Sequence, residues 1–400
     1  MNKTPNSNRV HIGIYGNRNA GKSSLFNAII GQDISIVSDT SGTTTDPVLK
    51  AMELIPFGPV VWLDTAGLDD IGSLGSLRIE KTKQMIDRTD FAIYLVDGTS
   101  PDYSGYKETA KLFKRFNIPH MIVVNKMEML EQSEKTEIES NLNEVTYVST
   151  QNQDSVHSLI DDIQSRLEKL EEDMPLVGDL LSYGSTVVLV VPIDSEAPKG
   201  RIILPQVQVI RDCLDHGIKC HVVRDTELEQ TLAELPRIDL VITDSQAFAA
   251  VSALVPQSIK LTSFSILLAR QKGDINALLE GIRAFGRMDG NSRILISESC
   301  THNHSHEDIG RVKIPNLIKK NISEDIQIEF SMGQDFPVQL DRYDLIIHCG
   351  ACMVNRKTME SRIRKSSLQF VPITNYGLTL AYFTGILNRS IEILGCEADE

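Results

Sequence analysis

The chain has 400 residues, 54 acidic and 40 basic side chains, a net charge of −14 at pH 7 and 41% apolar residues. That length exceeds one hydrophobic core, and that charge excludes a large nucleic-acid footprint. The opening MNKTPNSNRVHIG lacks a signal-peptide core and no long apolar run follows, so a cytoplasmic protein without a membrane span is expected.

Strand and helix signals alternate from the start. VHIGIYG reads as a strand and SSLFNAIIG as a helix, with PVVWLDTAG, DFAIYLVDG and HMIVVNK as further strands. Runs apolar throughout suit strands covered on both faces of a mostly parallel sheet. The unit closes near Val148-Ser149, followed by the charged helix VHSLIDDIQSRLEKLEEDM, and Pro175–Gly178 reads as a linker.

Between the first strand and helix, Gly16-Asn17-Arg18-Asn19-Ala20-Gly21-Lys22-Ser23 fits G-x-x-x-x-G-K-[ST]. Such a loop wraps phosphates with inward N–H groups and a helix N-terminus. Lys22 is expected on the terminal phosphates, Ser23 on magnesium, and Ser24 in the same turn. The bland alternative is a glycine-rich turn, which the strand–loop–helix context disfavours. Asp64-Thr65-Ala66-Gly67 follows in order: Asp64 for magnesium through water, the Gly67 amide for the terminal phosphate. The polar loop Asp39–Pro47 lies between and suits ordering around that phosphate. Asn125-Lys126-Met127-Glu128 is placed to read a base, with Ser149 and Thr150 beside it.

Through GNRNAGKS, SGTTTDP, WLDTAG and VNKME, residues 8–170 resemble the TrmE/Era/EngA group of GTPases. The resemblance implies GTP and magnesium as ligands, and Thr44 as the switch threonine on magnesium. The group's base-reading motif ends in Asp, where this chain has Glu128, whose extra methylene must be absorbed at the guanine edge. Leu68 stands where Ras-like enzymes carry a glutamine and cannot orient water. The group often binds potassium through a phosphate-loop asparagine, and Asn19 occupies that place. Slow, potassium-stimulated GTP hydrolysis is the expectation, with Lys22, Thr44, Asp64 and Gly67 carrying it.

The α/β pattern restarts with STVVLVVPID, a helix within GRIILPQVQVIRDCLDHG, and the strands KCHVVRD, DLVITDS and IKLTSFS. A long helical stretch, Ile266 to Met288, reads as a connection. The last third carries the strands RILISESC, IQIEFSMG, DLIIHCG and FVPITNYG, with helices near Ile309–Asn321, Asn355–Ser366 and Leu378–Ile393. The basic stretch Arg356–Lys365 reads as a solvated helix face. The fold class is therefore α/β: three α/β domains in series, a P-loop GTPase domain at 8–172, a middle domain at 180–266 and a C-terminal domain at 267–400.

The six cysteines of a reduced compartment point to metal or redox roles rather than disulfides. Cys213 and Cys220 read as core residues and Cys396 as a surface thiol. Cys300 ends one strand, and Cys349 and Cys352 follow another. Carboxyl ends of parallel strands share one edge, so these three can meet. Spacing leaves three readings open: an iron–sulfur cluster, a zinc site, or thiols without metal. The fourth position falls to His302, His304, His306, His348, a carboxylate or an exchangeable ligand.

Cys-x-His followed by a distant His-Cys-x-x-Cys, C-terminal to such a GTPase, resembles the HydF family of FeFe-hydrogenase maturation GTPases. The middle segment VPIDSEAPKGRIILPQVQVIRDCLD is similar to that family too. The resemblance spans the chain. It implies a 4Fe–4S cluster on Cys300, Cys349 and Cys352, with His302 and His348 as conditional ligands or supports. It implies a homodimer formed through the middle domain. It also implies a scaffold that receives a diiron subcluster precursor, made with the radical-SAM maturases HydE and HydG, and delivers it to apo FeFe-hydrogenase. The chain lacks Cys-x-x-x-Cys-x-x-Cys and is not itself read as a radical-SAM enzyme. Two other readings stand beside it: an RNA-modification or ribosome-assembly GTPase with a zinc-stabilised tail, and a GTP-regulated interaction module without metal.

Overall fold

The computed structural model describes residues 5–31, 35–38, 49–64, 85–170, 174–193, 202–299, 309–333 and 336–398. The chain divides into two compact units, Met1–Asp173 and Met174–Glu400.

The first unit is built on a sheet of order β2-β3-β4-β1-β5-β6-β7. Its strands are β1 (Val10–Gly16), β2 (Ser35–Ser38), β3 (Leu49–Leu54), β4 (Gly58–Asp64), β5 (Phe91–Asp97), β6 (His120–Asn125) and β7 (Val145–Tyr147). β4-β1-β5-β6-β7 pair in parallel, while β2-β3 and β3-β4 are antiparallel. β2 and β3 were not among the strands expected from sequence. Both are short, flank a polar loop, and carry weaker apolar runs than the central strands.

Alternation along β5 explains the layers. Phe91, Ile93 and Leu95 join one core with α1 (Lys22–Ile30) and the late helix Gln153–Glu168. Ala92, Tyr94 and Val96 join another with Phe113 and Ile138 of the helices Tyr103–Arg115 and Gln132–Asn141. Period two therefore faces both layers, as a parallel sheet covered on both sides requires. Fully burying each of Ile93 and Leu95 contributes about 1.5–3 kcal/mol.

The second unit holds two parallel four-stranded sheets. One has the order β11-β10-β8-β9, from β8 (Thr186–Val190), β9 (Lys219–Val223), β10 (Leu240–Thr243) and β11 (Lys260–Ser263). The other has the order β13-β12-β14-β15, from β12 (Arg293–Glu298), β13 (Gln327–Met332), β14 (Leu345–His348) and β15 (Ile373–Asn375). The inner strands β8, β10 and β14 are buried almost throughout, whereas the edge strands β9 and β13 are only partly covered.

These two sheets share a core. Val188, Val190 and Val241 cluster with Ile294, Ile296 and Ile346 of the later sheet. Their neighbours Val187, Leu189, Leu240 and Ile242 face a second cluster with Val209 and Cys213. The helix Phe264–Lys272 stands between the clusters: Phe264, Leu267 and Leu268 enter one, and Ile266 and Ala269 the other.

Three expectations are corrected. The stretch Ile266–Met288 is not one connecting helix. It breaks at Gly273, and Asp274 caps a new helix, Ile275–Ile282, through the amides of Asn276 and Ala277. An acceptor side chain after a glycine stops one helix and starts the next. The stretch Leu378–Ile393 is likewise broken, into Tyr376–Phe383 and Leu387–Ile391, with Gly385 at positive φ between them. Pro175–Gly178 is not a loose linker: Leu176 and Val177 are buried, and Asp212 accepts from the amides of Val177 at 2.7 Å and Gly178 at 2.9 Å.

Candidate functional site

The phosphate loop runs from the end of β1 into α1. β1 lies between β4 and β5, where successive connections diverge to opposite sides, and such a switch point leaves a crevice at the strand ends. Gly16 ends β1 at φ 141°, and a Cβ there would lie 2.2 Å from the Leu95 carbonyl oxygen. Gly21 turns into the helix at φ 93°, and a Cβ there would lie 2.3 Å from Asn125 Nδ2. Both glycines are thus required by close approach as well as by backbone conformation.

Lys22 is buried, and its Nζ donates to the carbonyls of Gly16 at 2.9 Å and Asn17 at 2.8 Å, curling beneath the loop. Ser23 and Ser24 are exposed in the first helical turn, Asn19 is exposed at φ 66°, and Ala20 is buried. Asn17 donates to Asp102, the cap of the helix Tyr103–Arg115. Ser104, Gly105 and Asn17 together hold the Asp102 carboxyl below its ordinary range.

The base-reading segment joins this loop. Asn125 ends β6, is buried, and donates from Nδ2 to the Ala20 carbonyl at 3.1 Å. Lys126 lies at φ 63° and pairs with Asp97 at 2.5 Å. Burial raises the Asp97 carboxyl, but the Lys126 and Thr99 hydrogen bonds outweigh it and hold the group below its ordinary range. Glu128 is exposed in the turn Met127–Met129, where a ligand can reach it. Ser149 is buried and its amide donates to Ser155 Oγ, with Thr150 adjacent. Asp64 ends β4 in register with Ile14. Thr44, Gly67 and Leu68 lie outside the described residues.

The thiol segment sits at the corresponding point of the last sheet. β12 is followed by β13 on one side and β14 on the other, so the ends of β12 and β14 flank the switch point. Cys349 is buried. Its amide donates to the Ser297 carbonyl at 2.9 Å, and its Sγ accepts from the Ser299 amide at 3.1 Å. The turn then passes through Ala351 at φ 55° to Cys352, which is half-buried against the neighbouring core. Cys300 follows Ser299 directly; with His302, His304 and His306 it lies outside the described residues. Among the described residues no group of three or more His, Cys, Asp or Glu stands ready to hold a metal ion.

His348 is fully buried. Arg362 can only donate, so the His348 Nε2 at 2.7 Å from its Nη1 accepts, and Nδ1 donates to the Cys349 carbonyl at 2.8 Å. Both ring nitrogens are engaged. Of the two roles expected for His348, ligand or support, this bonding fits support.

Arg362 was missed in sequence. Expected on a solvated face, it lies on the buried side of the helix Arg356–Leu368 with Met359, Ile363 and Ser366. It donates to Ser299 Oγ and the Gly333 carbonyl and stacks over Phe336. Its place on the buried helical face was the available signal. Lys272 was also missed. It is buried, and its Nζ donates to the carbonyls of Ala351 at 3.1 Å, Val354 at 3.0 Å and Cys352 at 3.5 Å. Burial pushes the ammonium down to about 8, against the pull of Cys352 and Cys349. Glu298, at the end of β12, is buried and bonded by Arg311 at 3.2 Å and Tyr376 at 3.3 Å.

A hydrogen bond between the Cys213 and Cys220 thiols, together with burial, raises Cys213, and the same bond lowers Cys220 against the opposing effect of burial. Cys396 is half-buried rather than a plain surface thiol, and burial raises it. No helix of the described residues is long and apolar enough to cross a membrane.

Comparison with known proteins falls into two parts. Residues 11–126 match the family model described as 50S ribosome-binding GTPase. GTPase Der of Wolinella succinogenes is 33% identical over 123 residues, 30% of this chain and 26% of that protein. The tRNA modification GTPase MnmE of Mycoplasma mycoides is 30% identical over 192 residues, 46% of this chain and 40% of that protein. The chain thus spans less than half the length of these curated relatives. A crystal structure of Aquifex aeolicus Era is 19% identical with a TM-score of 0.31, covering 54% of this chain and 92% of that one. The first unit is a P-loop GTPase domain, a fold to which GTP and magnesium fit. Residues 176–273 match the Hydrogen maturase F dimerization domain and residues 276–393 the Hydrogen maturase F tetramerization domain. With these two models back to back behind a GTPase domain, the chain belongs to the hydrogen maturase F family.

Proposed function

We propose that this GTPase is a scaffold and carrier for hydrogenase maturation. It binds a 4Fe–4S cluster on Cys300, Cys349 and Cys352, and assembles or delivers a diiron subcluster precursor to apo FeFe-hydrogenase. The observation that carries the reading is the Ser299 amide on Cys349 Sγ, at a sheet switch point, one residue before Cys300. The donor set fits such a cluster: soft thiols, an N–H aimed at sulfur, and buried cations nearby. When bound, the cluster supplies soft iron sites to which a further iron unit can attach. The chain's own residues fix the Cys349–Cys352 turn, cover it from water and offset its charge.

On this reading the domains are those at 8–172, 180–266 and 267–400. His302 is a conditional ligand, and HydE, HydG and the apo-hydrogenase are the partners. Lys22, Thr44, Asp64 and Gly67 act on the phosphates and magnesium, Ser23 and Thr44 bind the metal, and Asn19 takes potassium. Oligomerisation is supported by the family domains, and a homodimer through the middle domain is the form proposed. The RNA-modification reading is supported only by relatives that match the GTPase part of the chain.

The test is anaerobic reconstitution with iron and sulfide, followed by electron paramagnetic resonance with and without GTP. A brown protein is expected, with a cluster signal that requires all three cysteines and changes with nucleotide. Iron without sulfide, or serine variants that bind as the parent does, would sink the cluster reading. Equal GTP turnover in sodium and potassium would remove Asn19 from its role.

A further inference from the structure

We propose that Lys272 is the positioning residue and built-in counter-cation of the Cys349–Cys352 turn. The proposal rests on the cluster reading above and deepens it. Lys272 is the last residue of the helix Phe264–Lys272, 4% exposed, and lies within the dimerization-domain match rather than the match that holds the cysteines. An ammonium has three N–H donors, and here three carbonyls receive them: Ala351, Cys352 and Val354. Those carbonyls flank the second thiol on both sides, so one side chain sets the path of the turn. Its bonding partners among the described residues are carbonyls alone, and the ionisable groups acting on it are Cys352 and Cys349.

A buried cation without an anion is costly. Carbonyl dipoles solvate it but carry no net charge. Thiolates do, and thiolates are what cluster iron requires. The lysine and the loaded turn therefore complete one another, and the middle domain supplies half of the arrangement.

The experiment uses the full chain as parent and as Lys272→Gln, Lys272→Met and Lys272→Arg. After anaerobic reconstitution, iron and sulfide per chain, cluster loss to a chelator and the cluster midpoint potential are measured. Thermal unfolding is followed in the metal-free chains. Gln keeps donors for the carbonyls without the charge; Met removes both. Both neutral variants should retain the cluster about ten- to hundredfold less well, in the range found when supporting partners of metal ligands are removed. Their potentials should move to more negative values, since a reduced cluster loses its nearby cation. Arg should keep the potential near that of the parent, and Gln should not lower metal-free unfolding. Neutral variants equal to the parent, or Arg shifted as far as Gln, would overturn the assignment. So would failure of both neutral variants to fold without metal, because the role would then belong to the fold. A parent that takes up no cluster refutes the cluster reading itself; a loaded parent with unaffected variants refutes only the lysine.

Discussion

The phosphate loop and the thiol turn occupy equivalent places in two different sheets, each beside a strand where connections diverge. They are built in opposite ways. The phosphate loop is one contiguous segment whose glycines approach Leu95 and Asn125 and whose lysine curls back onto its own carbonyls. The thiol turn is assembled from three separate stretches. Ser299 meets the first sulfur, Arg362 orients the histidine before it, and Lys272 holds the carbonyls around the second. A phosphate ligand is recognised largely by backbone, which a local motif can supply. A soft metal group needs side-chain donors and charge balance, and these arrive from distant sequence.

The largest expected effect falls on the thiols. Cys349→Ser should abolish cluster uptake, read as iron and sulfide after reconstitution, while GTP turnover persists. If turnover fell in parallel, the two regions would not be as separable as their construction implies. Lys22→Ala should reduce GTP hydrolysis about a hundredfold or more, the usual scale for losing a group that stabilises transition-state charge. Phosphate release measures it, and iron content should not change.

Arg362→Leu should cost about 3 kcal/mol in the second unit, because it leaves His348 Nε2 buried without that donor and takes one from the half-buried Gly333 carbonyl. Calorimetry of the metal-free chain reads this, and a change below about 0.5 kcal/mol would mean the guanidinium is dispensable. The smallest effect is at Asp97, whose carboxyl is held below its ordinary range. A depressed carboxyl contributes stability that is present above its unfolded value, about 4, and lost as pH falls through the folded value. Asp97→Asn should therefore lower GTPase-domain stability slightly at neutral pH, change it little in strong acid, and so flatten the acid limb of unfolding.

The same contrast explains what could be read in advance. The central strands were legible because Phe91–Val96 and Leu345–Ile347 are apolar runs, and Gly16–Ser23 was legible because its chemistry is local. Lys272 was not, because a lysine within an expected helical stretch looks solvated until its neighbours are known. Arg362 was hidden among neighbouring bases that are exposed or half-buried, since composition does not say which face of a helix is buried. The break at Gly273-Asp274 was written in the sequence but outweighed by the apolar residues on either side. Helical periodicity survives a single stop and start signal, so the two helices read as one.

Consider what the helix Phe264–Lys272 means for dividing the molecule. The matches to the two hydrogen maturase F domains change over between residues 273 and 276, which invites a cut there. A fragment beginning at 276 would leave behind Lys272 and also Ser265, whose carbonyl accepts from Asn375. It would expose the shared core once covered by Ile266 and Ala269, and would strand Arg389, which donates to Ser252, Val255 and Pro256 across the same divide. The thiol-bearing part is thus no detachable module. Transplanting it into another host would require carrying the whole of residues 174–400, and a truncated piece that failed to load would say nothing about its cysteines.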